Sequence, residues 1–131
     1  MIARIAALAL LCGPTAAMAG DEPVAVPSGM RVAFHDVIRD APGEGLIYRF
    51  RFVAPEIGGD APRPYEEVAP DMDFLCDGYA VPRLAQTGPV PGRIVISLMA
   101  DVVEFGEPNP EIPQYFESYS LRDGACIWEA F

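Results

Sequence analysis

The chain has 131 residues, 51% of them hydrophobic, with 19 acids against 9 cations and a formal charge of −10. A field of that sign repels polyphosphate, and no local basic cluster opposes it, so nucleic-acid binding is excluded. All 9 cations are arginine. Without a lysine there is neither Schiff-base chemistry nor a P-loop.

Arg4 charges the start, Ile5 to Leu11 form an apolar run, and Ala17 and Ala19 occupy the two positions a signal peptidase reads. The run is about half of the ~20 residues needed to span a bilayer as a helix, so residues 1–19 are expected to be a cleaved signal peptide and not an anchor. Cys12 leaves with it, because Leu11 is too bulky for a lipoprotein cleavage motif. Cleavage at Ala19 leaves 112 residues from Gly20, and the loss of Arg4 leaves 8 arginines against 19 acids, a net −11. That length suits one domain with a modest core. No later stretch is long and apolar enough for a transmembrane helix, and no carboxy-terminal sorting motif is present. A short, alanine-rich signal speaks for a bacterial periplasmic or secreted protein. In that oxidising compartment Cys76 and Cys126 are expected to form a structural disulfide. A redox pair or a metal site would want a CxxC spacing or further ligands.

Residues 20–30, rich in Pro and Gly, read as an extended lead-in to a domain over 31–131. Arg31 to Arg39 reads as a strand, Asp40 to Gly45 as a turn and Leu46 to Val53 as the returning strand of a hairpin. In the second strand Leu46, Tyr48, Phe50 and Phe52 alternate with Ile47, Arg49, Arg51 and Val53, so one face packs and the other is partly wet. Ala54 to Pro64 is a loop. Met72, Leu75, Cys76 and Tyr79 recur at helical spacing, which predicts one helix from Tyr65 to Ala80, with Pro70 in its first turn or at a kink and Pro82 stopping it. Arg93 to Met99 is nearly continuously apolar and branched, as in a central strand covered on both faces. Asp101 to Gly106 is read as a short edge strand. Gln114 to Leu121 and Ala125 to Phe131 form a hairpin around Asp123-Gly124. The expected fold is α+β: an antiparallel sheet of about five strands, order ββαβββ, with one helix on one face and a helix-to-sheet disulfide between Cys76 and Cys126.

The segments Leu46-Ile-Tyr-Arg-Phe-Arg-Phe-Val-Ala-Pro55, Asp71-Met72 with Leu75-Cys76, Tyr79-Ala-Val-Pro-Arg-Leu84, Val103-Glu-Phe-Gly106 and Cys126-Ile-Trp-Glu129 resemble a family of short exported alphaproteobacterial proteins of unknown function. The resemblance covers most of the mature chain. It implies export, one domain and both cysteines, and brings no activity or site residues. An acetolactate synthase label carried by some members does not suit this chain, which lacks the large thiamine-diphosphate fold and its Gly-Asp-Gly metal motif.

Candidate chemistry is sparse. His35, the lone histidine, lies in a strand where its neighbour Asp36 points to the other face, and Ser97, Ser118 and Ser120 lack a nucleophile elbow. Glu104, Glu117 and Glu129 sit in strand-like segments, yet nothing singles out a catalytic pair. Asp71-Met-Asp73 lacks the rest of a calcium loop, and its acids read as helix-start charges and solvated surface. Arg49 and Arg51 on one strand face suit a carboxylate clamp, with cross-strand pairing to glutamates the plainer reading. Trp128 with Tyr115, Tyr119 and Phe131 is either an aromatic surface or core. The expected function is a non-catalytic exported binding or accessory module that meets an envelope or periplasmic protein through a face bearing Arg49, Arg51 and Trp128, with no cofactor or metal. The alternative is a small periplasmic acid-base hydrolase using carboxylates and His35. A pocket gathering Arg49, Arg51 and two carboxylates would speak for the enzyme, and a flat aromatic patch at an open edge for binding.

Overall fold

A computed structural model describes residues 22–41 and 45–130. The expected signal peptide, residues 1–19, lies outside the described residues. Six strands form one sheet in the order β1 (Glu22–Pro23), β2 (Ala33–Asp40), β3 (Ile47–Val53), β4 (Arg93–Met99), β5 (Gln114–Arg122) and β6 (Ala125–Glu129). The fold is α+β, with two departures from the sequence expectation. Glu22–Pro23 from the lead-in pairs with β2 and adds a sixth strand, and β3 pairs with β4 in parallel, so the sheet is mixed. The parallel pair follows from connectivity. A helical crossover returns the chain to the end from which β3 began, whereas every other neighbouring pair is antiparallel.

The crossover helix is longer than its prolines suggest. α1 (Tyr65–Phe74) passes through Pro70, continues as a π-helical segment over Leu75–Ala80, and ends as α2 (Val81–Thr87) with Pro82 in its first turn. The π turn carries the chain past Pro82: the Val81 N–H reaches back five residues to the Cys76 carbonyl, which widens the turn where a proline ring would clash. Gly88, at φ +147°, then closes the helix where an added Cβ would stand 2.8 Å from the Tyr48 hydroxyl.

The helix covers one face of the sheet. Tyr48, Phe50 and Phe52 from β3 and Ile94, Ile96 and Leu98 from β4 meet Val68, Met72, Leu75 and Tyr79 in the core. Cys76 is bonded to Cys126 across a Cα–Cα distance of 6.2 Å, which staples the helix to β6. Polar tips on this face are engaged. All 5 tyrosines of the chain donate: Tyr48 to the Pro89 carbonyl, Tyr65 to Glu117, Tyr79 to Glu22, Tyr115 to the Arg63 carbonyl and Tyr119 to Asp73. Burial, reinforced by the Asp73 bond, pushes the Tyr119 hydroxyl far above the ordinary phenol range. Asp71 is buried and accepts from the Ser28 N–H (3.0 Å) and Ser28 Oγ (2.5 Å), while Asp77 accepts from the Cys126 N–H. Asp71 is therefore a buried pin and not the solvated charge expected from the sequence, whereas Asp73 and Asp77 are exposed as expected and each also accepts a bond from a neighbouring strand.

Residues 101–106 form no strand. They belong to a loop from Ala100 to Pro113, closed at its base where the Ala100 N–H meets the Pro113 carbonyl, that folds back over the face opposite the helix. This loop explains why β4 is buried along all but its first residue: the helix covers one side and the loop part of the other.

Candidate ligand site on the open face

Strand alternation places Arg49, Arg51 and Ile47 on the face opposite the helix. Register then sets the rows across it: Asp36, Arg51, Ser97 and Phe116 in one; Ile38, Arg49, Val95, Ser118 and Glu129 in the next; Asp40, Ile47, Arg93, Ser120 and Ile127 in the third. Apolar and polar residues are mixed here, in contrast to the core face, where the central strands β3 and β4 present only aromatic and aliphatic side chains.

The two arginines do different work. Arg51 is buried and fully engaged: Nε and Nη2 grip Asp36 at 2.7 and 2.6 Å, and Nη1 donates to the Val103 carbonyl at 2.6 Å. It anchors the Ala100–Pro113 loop to the sheet. A β-bulge at Phe34/Asp36 turns Asp36 toward it, with His35 in the bulge and its Nε2 4.0 Å from Asp36. Arg49 has no carboxylate partner among the described residues; its guanidinium lies 5.7 Å from the Phe105 ring. Phe105 leads the loop's tight turn, in which the Glu107 N–H meets the Glu104 carbonyl and Gly106 takes φ +84°, the left-handed conformation a type II turn requires. The cross-strand glutamates expected for these arginines are thus replaced by Asp36 and by an aromatic ring.

Two cavities flank Arg49 and share Arg49, Val95 and Phe116 as a wall. The smaller, about 170 Å³, lies under the loop and is lined also by Arg51, Ser97, Glu104, Glu107 and Gln114. The larger, about 460 Å³, is open and lined also by Ile47, Arg93 and Ser118. Around this wall Arg49 Nε, Ser97 Oγ and Ser118 Oγ are buried without a hydrogen-bond partner among the described residues. A buried donor left unpaired costs about 1–3 kcal/mol, so three such groups on one face are what a polar ligand would satisfy. Two further hollows, about 770 Å³ beside α2 and about 610 Å³ beside the lead-in, show no such orphans, and Arg39 and Arg83 beside α2 already donate to the Thr87 and Tyr79 carbonyls.

The other candidates separate. Trp128 lies on the helix face with Cys126, half exposed, its Nε1 donating to Glu117, so it does not join Arg49 and Arg51. Tyr119 is core and Tyr115 stacks edge-on with Tyr65, while Phe131 lies outside the described residues. Glu104 is on the loop, Glu117 accepts from Tyr65 and Trp128 on the helix face, and Glu129 accepts from Ser120, so no two of the three converge. Arg93 and Ser118 were not distinguished by sequence reasoning. Ser118 carries one signal in the sequence, its place two residues from Phe116 on the same strand face.

The fold and this face define a disulfide-stapled α+β protein with a polar, loop-capped sheet face. The chain belongs to a family of unknown function (DUF6497), whose model matches residues 8–131. No curated protein and no solved structure matches it. No helix among the described residues is long and apolar enough to cross a membrane.

Proposed function

We propose that this chain is an exported, non-catalytic binding module whose ligand sits on the open face of the sheet, with Arg49 as the recognising cation. The observation that carries this reading is the convergence of three buried, unpartnered polar atoms, on Arg49, Ser97 and Ser118, around two adjoining cavities. Such groups are costly in the free protein and become favourable once a ligand pairs with them. The Cys76–Cys126 bridge agrees with an oxidising compartment. A fragment screen by amide NMR on the mature, disulfide-bonded chain tests it. Hits should shift residues 95–97 and 116–118 and lose that effect in Arg49→Ala; hits confined to other surfaces would sink the reading. Cleavage after Ala19 is read from the intact mass of the exported protein.

One observation favours a second reading, an acid-base hydrolase: the smaller cavity gathers Arg49 and Arg51 with the carboxylates Glu104 and Glu107. Both glutamates are on the exposed rim of the loop and Arg51 is already engaged, so binding leads. A hit that is consumed by the protein, with turnover abolished in Glu104→Gln or Glu107→Gln, would reverse that order.

A further inference from the structure

The larger cavity carries a finer conclusion, one that rests on the binding reading just given. Its lining is selective in chemistry. Arg49 and Arg93 come from adjacent parallel strands, set diagonally because Arg49 faces Val95 and Arg93 faces Ile47 in the register. Ser118, across β4 and opposite Val95, is 1% exposed, and its Oγ has no partner. Neither arginine has a carboxylate partner among the described residues. Of the strand carboxylates on this face, Asp36 is held by Arg51, Glu129 is held by Ser120 at 2.7 Å, and Asp40 lies beyond Ile47 in the row of Arg93. The remaining lining, Ile47, Val95 and Phe116, is apolar, and no acid among the described residues lines this cavity.

We propose that this cavity binds a small organic monocarboxylate with an apolar body, its carboxylate received by Arg49, Arg93 and Ser118 and its body laid on Ile47, Val95 and Phe116. A planar guanidinium fork matches a carboxylate in two parallel hydrogen bonds, and a hydroxyl adds a third donor. About 460 Å³ is within the range of small-molecule sites. A single negative charge suits the site better than a dianion, because the chain as a whole carries −10 and repels multiply charged anions. Half-exposed Phe116 supplies the large apolar surface that such a body would cover.

The test is a set of amide NMR titrations of the mature, disulfide-bonded chain with benzoate, benzamide, acetate and inorganic phosphate. Benzoate is expected to give saturable shifts at Ile47, Arg93, Val95 and Ser118, with benzamide and acetate each roughly tenfold weaker or more, as loss of one charged hydrogen bond or of one apolar contact surface implies. Arg49→Gln and Arg93→Gln should each weaken benzoate by roughly tenfold. Arg93 is exposed at the start of β4, so its variant keeps the test open if Arg49→Gln fails to fold. Ser118→Ala should weaken benzoate several-fold without disturbing the spectrum elsewhere. Benzamide or acetate equal to benzoate, phosphate tighter than benzoate, or shifts away from this face would each overturn the proposal. If the four probes fail while screen hits still shift residues 95–97 and 116–118, only the carboxylate assignment falls. If neither moves this face, the binding reading falls with it.

Discussion

The two faces of this sheet were built to different standards of completion. On the helix face a disulfide joins helix to β6, aromatic rings interlock, with Tyr79 5.1 Å from Phe34 and 5.3 Å from Phe52, and the tyrosine hydroxyls all donate. On the open face, among the described residues, one arginine is clamped and the other is not, and two buried serines have no partner. A folded chain tolerates unpaired buried groups where something other than stability selects them, since native interiors otherwise leave few. The saturated face holds the structure, and the unsaturated one is where a function would be sought.

The contrast can be broken most directly through its covalent pin. Replacing Cys76 and Cys126 together by Ala is expected to lower unfolding free energy by up to about 4 kcal/mol, the chain-entropy value for a loop of this length, where the two cysteines are 50 residues apart. Denaturant unfolding of the variant measures it, and a loss under about 1 kcal/mol would mean that the bridge is not formed or that the reduced chain is already constrained. The next largest effect is expected at Asp71. Replacing it by Ala strands the Ser28 N–H and hydroxyl and should cost about 2–3 kcal/mol, with faster amide exchange across residues 24–30 as the lead-in loosens.

These pins differ in how far the sequence announced them. The bridge was legible because two cysteines in a chain expected to be exported leave little choice, and the aromatic alternation of β3 read correctly because period two is a strong signal. The helix end is not legible, since the sequence shows the local penalty of Pro82 and not the π turn that relieves it. The parallel β3–β4 pair was missed because apolar run length reports burial and not strand direction. Arg49 and Arg51 were both visible as an arginine face. Their divergence was not, because it depends on a bulge that aims Asp36 and on a loop that brings Val103, 52 residues from Arg51, and Phe105 to them. The loop's turn at Glu104–Glu107 carried a local cue in Gly106, but its docking over the sheet is a tertiary fact with no period to read.

Truncating the open face should sharpen the contrast. Ser97→Ala and Ser118→Ala each remove a buried hydroxyl that makes no hydrogen bond, so the lost desolvation penalty offsets the lost contacts and unfolding free energy should change by no more than about 1 kcal/mol, in the stabilising direction. Thermal and denaturant melts of the two variants measure this. A loss of 2 kcal/mol or more at either (roughly the cost of stranding a partner) would show that the hydroxyl is engaged in solution and would erase the difference between the faces.

The smallest effect is expected at the rim, where Glu56 follows β3. Its carboxylate accepts from the Arg31 N–H at 2.7 Å and meets Arg63 at 3.3 Å, and the Arg31 bond, with help from Arg63 and against the push of desolvation, holds it below its ordinary value of 4.5. A carboxyl depressed in the folded state binds its proton more tightly when unfolded, so its contribution is present above pH 4.5 and is lost as pH falls through the lowered folded value. Glu56→Gln removes that titration. The variant's stability should therefore differ from wild type above pH 4.5 and converge with it at more acid pH, leaving a shallower acid limb in a series of melts. Parallel limbs for the two proteins would mean that the tether between Arg31 and Glu56 is not kept in solution.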